Sequence, residues 1–317
     1  MSTVDERSGP KARPDDTGTT GHGERVAFLV GAGRSGTTLL YKLLCLHPGI
    51  GFISNYESRY GWFPDGVAPR AVADCIDAKL HAWFNRSGNA YFVDRPWLKK
   101  LFPTPNEGES VYRDCGVPLF LRPGDLPDET TSARLRRRFE QMRRRAGADV
   151  FLSKRTANNR RIQYLHQIFP QARYVHLVRD GREVTQSLST VEWWDKHTVW
   201  WDGRTPAEME RSGEPRLAIC ARNWVRELEE LRAQLRSISP DRVIELRYEE
   251  LLRAPHAQLE RVVRFLGVPY TADYRAAISA VQLRPVHARW GDEWNEQQLQ
   301  CVLRETQPLL RQLGYTD

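Results

Sequence analysis

"LVGAGRSGTTLLYKLL" runs from Leu29 to Leu44, and the chain is best read outward from it. An apolar run enters a turn rich in Gly, Ser and Thr, and a Leu-rich segment follows. Strand, glycine turn and helix N-terminus, in that order, make an anion cradle, because the first-turn amides of a helix have no partners of their own. Gly31 and Gly36 have the spacing of the ATP-binding P-loop, G-x-x-x-x-G-K-[ST]. Thr37 and Thr38 follow, however, where that loop carries lysine, and Arg34 sits inside the turn. Gly31, Gly33 and Gly36 permit close backbone approach, Ser35, Thr37 and Thr38 offer hydroxyls, and Arg34 supplies a permanent cation.

Around this loop the chain alternates short apolar strands with helices. "RVAFLV" (25–30) predicts a buried strand, and the helix from Gly36 to about 46 stops at "HPG" (47–49). Further strands are predicted at 50–54, 150–154, 173–178 and 242–248. Helices are predicted near 130–146, 158–168, 181–190, 215–237, 255–266, 272–280 and 295–312. Such alternation implies an α/β fold of three layers, with a central parallel sheet covered on both faces. Residues 1–24 are polar and aperiodic and read as a disordered tail, leaving one domain over 25–317. Within it, 55–149 reads as an irregular and partly helical insertion that shapes an acceptor site.

A second anion motif lies in "RYVHLVRDGREVTQSL" (173–188). A buried strand ends in Arg179, Asp180 and Gly181, at the edge where parallel sheets bind ligands. Arg179 and Ser187 can grip one phosphate from two sides. The competing reading makes Asp180 a magnesium carboxylate, although Arg179 and Arg182 beside it would compete with a cation.

Composition narrows the classes. The 317 residues carry a formal charge of +7 and are 40% hydrophobic, enough to bury a sizeable core. Nearly all of the positive charge is arginine, which suits bidentate phosphate or sulfate contacts. The five cysteines contain no C-x-x-C pair and suit reduced thiols. The polar first 24 residues and the lack of a long apolar run imply no signal peptide and no membrane span, and a cytoplasmic protein.

Taken together, "GAGRSGTTLL" and "VRDGREVTQSL" resemble the two nucleotide-binding motifs of the PAPS-dependent sulfotransferases, PAPS being 3′-phosphoadenosine-5′-phosphosulfate. "LSKRTANN" (152–159), "FPQARYVHLVRDGR" (169–182) and "RYEELLRAPHAQLERVVRFLGVP" (247–269) follow in the family's order. The form with Arg34 looks closer to the tyrosyl-protein, Golgi-type and bacterial branches than to the cytosolic type, which has lysine there. The resemblance implies sulfuryl transfer from PAPS to a hydroxyl of a small molecule, sugar, lipid or tyrosine, releasing PAP, with no metal required and no nucleic-acid partner. Gly33, Arg34, Ser35, Gly36, Thr37 and Thr38 would hold the 5′-phosphosulfate. Arg179 and Ser187 would hold the 3′-phosphate, with Tyr248 and Arg289 assisting. Lys154 matches a family lysine near the bridging oxygen; a surface lysine or a core-edge ion pair is its alternative.

The base falls to Glu57, just after the second strand, where the tyrosyl-protein branch carries its catalytic Glu; without a gap Asn55 takes that place. His81 is the runner-up, and His47 reads as a helix cap. Tyr248 can equally be a core residue. The tryptophans of "WWDKHTVWW" (193–201) suit either core packing or an apolar acceptor wall. The seven arginines of 134–145 suit a solvated face or a patch for an acidic acceptor. The rival functions are a magnesium-dependent P-loop kinase or ATPase and a nucleic-acid binder using that arginine-rich helix.

Overall fold

The structure, a computed structural model, describes residues 25–60, 76–85, 102–122, 124–283 and 289–315. Five strands form one all-parallel sheet in the order β2-β3-β1-β4-β5: β1 (Val26–Val30), β2 (Ile50–Phe52), β3 (Val150–Lys154), β4 (Arg173–Val178) and β5 (Val243–Arg247). The strands read as continuous apolar runs because the sheet is buried on both sides. Ala27, Leu29, Val150, Leu152, Val175 and Leu177 face one layer. Phe28, Phe151 and Tyr174 alternate with them and face the other.

The first layer contains α1 (Thr37–Cys45), α3 (Ile76–Trp83), α11 (Pro255–Leu266) and α12 (Ala272–Ala280). The second contains α4 (Glu109–Asp114), α5 (Glu129–Arg145), α6 (Ile162–Ile168) and the end of α9 (Arg216–Leu235), closed around Phe28, Phe139 and Phe169. The helix α5 shows why its arginines fall as they do. Leu135, Phe139 and Met142 point inward, and most of the arginines lie on the wetter face, some paired with Glu140. Short helices α2 (Asn55–Tyr60), α8 (Pro206–Arg211), α10 (Tyr248–Arg253) and α13 (Arg289–Glu293) join α7 (Gly181–Ser189) and α14 (Glu296–Gln312).

The predicted strands all form, with β2 ending at Phe52. Within the expected irregular and partly helical insertion at 55–149, the described parts before α5 contain α2, α3 and α4. Helices of six to eight residues are too short for a 3.6-residue period to stand out. The expected helix at 158–168 is a 3-10 turn (Thr156–Arg160) followed by α6. The proposed tail, residues 1–24, lies outside the described residues.

The connection after β1 runs to β2 on one side of the sheet, and the connection after β4 runs to β5 on the other. The crevice at the carboxyl end of β1 is therefore the switch point where parallel sheets bind ligands. The loops after β1, β3 and β4 meet there.

Candidate active site

The turn after β1 closes with Ser35 N–H donating to Ala32 O at 3.1 Å. Arg34 takes a left-handed conformation, φ 69°, and is the one non-glycine with positive φ among the described residues. Gly36 follows at φ 87° and occupies the N-cap of α1 with no side chain capping the helix. Glycine is required there twice over, because a Cβ would lie 2.2 Å from the Tyr248 ring. The first-turn amides of α1 are thus left to an outside acceptor.

Two further observations bear on whether an anion fits. Ser35 Oγ is buried and has no hydrogen-bond partner among the described residues. A Cβ at Gly33 would meet no atom within 4 Å, so neither packing nor a positive φ calls for glycine at that position. An unsatisfied hydroxyl, uncapped amides and an empty approach above Gly33 suit a phosphate or sulfate group.

The β4 motif comes directly to this loop. Arg34 Nε donates to Ser187 Oγ at 3.0 Å, and Arg179 Nη1 donates to Arg34 O at 3.0 Å. Arg179 is also paired with Glu183 at 3.1 Å and lies 4.7 Å from the Tyr248 ring centroid. Its Nε is buried with no partner among the described residues. Tyr248 therefore sits between Gly36 and Arg179 and is half-buried, at the head of α10 rather than at the end of β5. Asp180 caps α7 and gives its carboxylate to Arg182 at 2.8 Å, while its own N–H donates to Glu249. With both oxygens engaged by Arg182, Asp180 is poorly placed to ligate magnesium. Trp290 on α13 covers Arg182 at 4.5 Å. Arg289 heads the same helix, and its side chain lies outside the described residues.

On the other side of the loop, buried Lys154 at the end of β3 donates to Thr38 Oγ1 at 3.4 Å and forms an ion pair with Glu107. Partial desolvation alone would raise the Glu107 pKa, but the Lys154 ammonium overrides it and holds the carboxyl below its ordinary range. Glu107 was not singled out from the sequence; its one cue is position within a Pro- and Gly-bounded loop, "TPNEGES" (104–110).

The loop is held from behind by Asn159. Its Oδ1 accepts from Gly31 N–H at 3.1 Å and its Nδ2 donates to Gly31 O at 3.0 Å. The same Nδ2 reaches Glu227, which also accepts from Arg160 and from Trp200 Nε1, both at 2.6 Å. Trp194 is core, and Trp201 Nε1 donates to Asn223. All four clustered tryptophans are thus engaged in packing or hydrogen bonds; Trp193, 54% exposed, meets Trp194 and His197 edge-on.

The base candidates of the sequence lie on α2, on α3 and just after α1. Glu57 accepts from Ser54 N–H at 2.7 Å and lines a cavity of about 250 Å³ with Arg134, Arg137, Arg138 and residues of α4. Burial raises its pKa. Asn55 is bonded to Thr104 through both backbone and side chain. His81 is exposed on α3. His47 accepts from Gly49 N–H through Nδ1, which leaves Nε2–H to donate to Pro269 O at 2.7 Å, a neutral structural role. Among the described residues no group of three or more His, Cys, Asp or Glu is placed to hold a metal, and no helix is long and apolar enough to cross a membrane.

This fold and loop pair define a class. A model of the sulfotransferase family matches residues 109–272, more than half of the chain, and the chain belongs to that family. The matched span contains Lys154, Arg179, Ser187 and Tyr248, and the loop at 31–38 precedes it. Among curated proteins the chain is 27% identical over 262 residues to the omega-hydroxy-beta-dihydromenaquinone-9 sulfotransferase Stf3 of Mycobacterium bovis, covering 76% of this chain and 62% of that protein. It is 23% identical over 245 residues to protein-tyrosine sulfotransferase 1 of Danio rerio, covering 77% and 54%. The chain thus spans under two thirds of either relative's length. The solved sulfotransferase STF9 from Mycobacterium avium shares the fold, with a TM-score of 0.58 at 16% identity over 91% of this chain and 76% of that one.

Proposed function

We propose that this protein transfers a sulfuryl group from PAPS to a hydroxyl of an organic acceptor, leaving PAP. The observation that carries the reading is the contact of Arg34 with Ser187, reinforced by Arg179 on the Arg34 carbonyl, which joins two anion motifs into one site. A nucleotide with phosphates at both the 5′ and 3′ positions needs both motifs; a P-loop kinase needs one.

When bound, PAPS supplies the sulfuryl group and a leaving phosphate. The residues of the chain divide the remaining work. The α1 amides, Ser35, Thr37 and Thr38 hold the 5′-phosphate, and Arg34 balances its charge. Arg179 and Ser187 hold the 3′-phosphate, with Tyr248 supporting the Arg179 guanidinium from beneath. Lys154, fixed beside Thr38, faces the charge that grows on the leaving oxygen. Removing one such preorganised donor typically costs ~10²–10³ in rate. The names of the relatives include a menaquinone derivative and protein tyrosine, so a hydroxyl acceptor is the chemistry in common.

The test is a thermal-unfolding panel with PAP, PAPS, AMP and ATP. A ligand that binds the native state raises its melting temperature by mass action. PAP and PAPS should do so without magnesium, and AMP much less. Equal shifts from AMP and PAP would remove the 3′-phosphate site from this reading.

A further inference from the structure

The contacts of the site run in a line: Ser187 to Arg34, the loop to Thr38, Thr38 to Lys154, Lys154 to Glu107. The line begins at the proposed 3′-phosphate end and finishes at a carboxylate. The Glu107 side chain is 48% exposed, while the Lys154 side chain it pairs with is 5% exposed. A buried cation thus tethers an acid that still opens to solvent, beyond the point where the 5′ end of the donor would lie.

The loop carrying Glu107 is fixed on both sides. Asn55 N–H donates to Thr104 O at 2.9 Å, and Asn55 Oδ1 accepts from Thr104 N–H at 2.8 Å. Ser54 bridges Pro105, and Asn106 N–H donates to Ile53 O at 2.8 Å. Gly108 closes the loop at φ 67°, where a Cβ would lie 2.5 Å from Ile53 Cδ1. The exit of β2, which contributes Asn55 and not an acid at its first helical position, thus holds a second segment whose acid reaches β3. Glu57, two residues on, is turned into its own helix N-terminus and towards the α5 arginines.

We propose that Glu107 is the general base, the group that accepts the proton of the acceptor hydroxyl; this rests on the sulfotransferase reading above. The acceptor oxygen forms a bond to sulfur as the bond from sulfur to the bridging phosphate oxygen breaks. The electron pair of that bond leaves with the phosphate of PAP, and the hydroxyl proton passes to Glu107. Lys154 serves both ends. Without donor it neutralises Glu107. With an anion at the loop its charge is shared with the leaving oxygen, which releases Glu107 and makes it the stronger base at the moment a base is needed.

The test compares Glu107→Gln, Glu107→Asp and Glu57→Gln in the full chain. PAP affinity is measured by calorimetry, and turnover with PAPS and a panel of phenols and alcohols of graded acidity. Glu107→Gln keeps the shape but removes a competitor for Lys154, so PAP should bind at least as tightly as to wild type. Turnover should fall by ~10²–10⁴, the usual worth of a positioned base, and least for the most acidic phenols. Glu107→Asp should recover part of the loss, and Glu57→Gln should stay near wild type. Near-normal turnover of Glu107→Gln on a weakly acidic alcohol would overturn the proposal. So would parallel losses of PAP affinity and turnover, which mark a residue that only positions Lys154. A wild-type chain that neither binds PAP nor transfers sulfuryl to any acceptor would instead remove the functional reading on which the proposal rests.

Discussion

Arg34 and Ser187 are 153 residues apart in sequence and 3.0 Å apart in space, with Arg34 Nε donating to Ser187 Oγ. The contact depends on the left-handed backbone at Arg34, φ 69°, which is rare for a residue with a side chain. Arg179 donates to the Arg34 carbonyl, so the strain sits under two restraints from the β4 segment. The loop is therefore shaped by its partner motif as well as by its own glycines.

Arg179→Ala should weaken PAP binding by about 1.5–3 kcal/mol, the range for a hydrogen bond to a charged group. AMP affinity should fall less, because AMP lacks the 3′-phosphate. Titration calorimetry with both nucleotides checks this; an unchanged PAP affinity would take Arg179 off the 3′-phosphate.

Asn159→Ala removes both bonds to Gly31 and one to buried Glu227. Leaving one such buried group unsatisfied costs about 1–3 kcal/mol, so denaturant unfolding should show a loss of at least that order. PAP affinity should drop as well, although Asn159 lies behind the loop. Loss of stability with unaltered PAP binding would show that the loop keeps its shape without the clamp.

Gly36→Ala meets both the Tyr248 ring and a left-handed backbone. The backbone part alone is worth roughly 1–2 kcal/mol. Adding Tyr248→Ala should relieve the clash and leave the backbone cost. In a double-mutant cycle the pair should be less harmful than the sum of the single changes; strict additivity would mean that the ring simply moves aside.

Glu57 has a folded pKa raised by burial above the ordinary 4.5, which disfavours its ionised form. A carboxyl raised on folding costs stability as pH climbs from the unfolded value through the folded one, because the unfolded chain ionises first. Glu57→Gln should therefore match wild type at pH well below 4.5 and gain on it as the pH rises above that value. Melting curves from acid to neutral pH test the sign. A wild-type advantage that grows with pH would mean that the nearby arginines outweigh burial.

What could be read from the sequence alone was whatever the chain encodes over a few consecutive residues. Apolar runs marked all five strands, and the glycine turn after β1 and the Arg-Asp-Gly turn after β4 marked both loops of the proposed anion site, because strands and helix N-termini are local objects. Their meeting at one end of the sheet followed from strand alternation. Only the tertiary structure decided the pairings across long separations: Arg34 with Ser187, Asn159 with Gly31, and Lys154 with Glu107 rather than with solvent. No periodicity announces these. Which acid reaches the end of β3 depends on a loop path set by Asn55, the Ser54–Pro105 bridge and the left-handed Gly108. Glu57 and Glu107 look alike in the sequence; the packing turns one towards the α5 arginines and brings the other to Lys154.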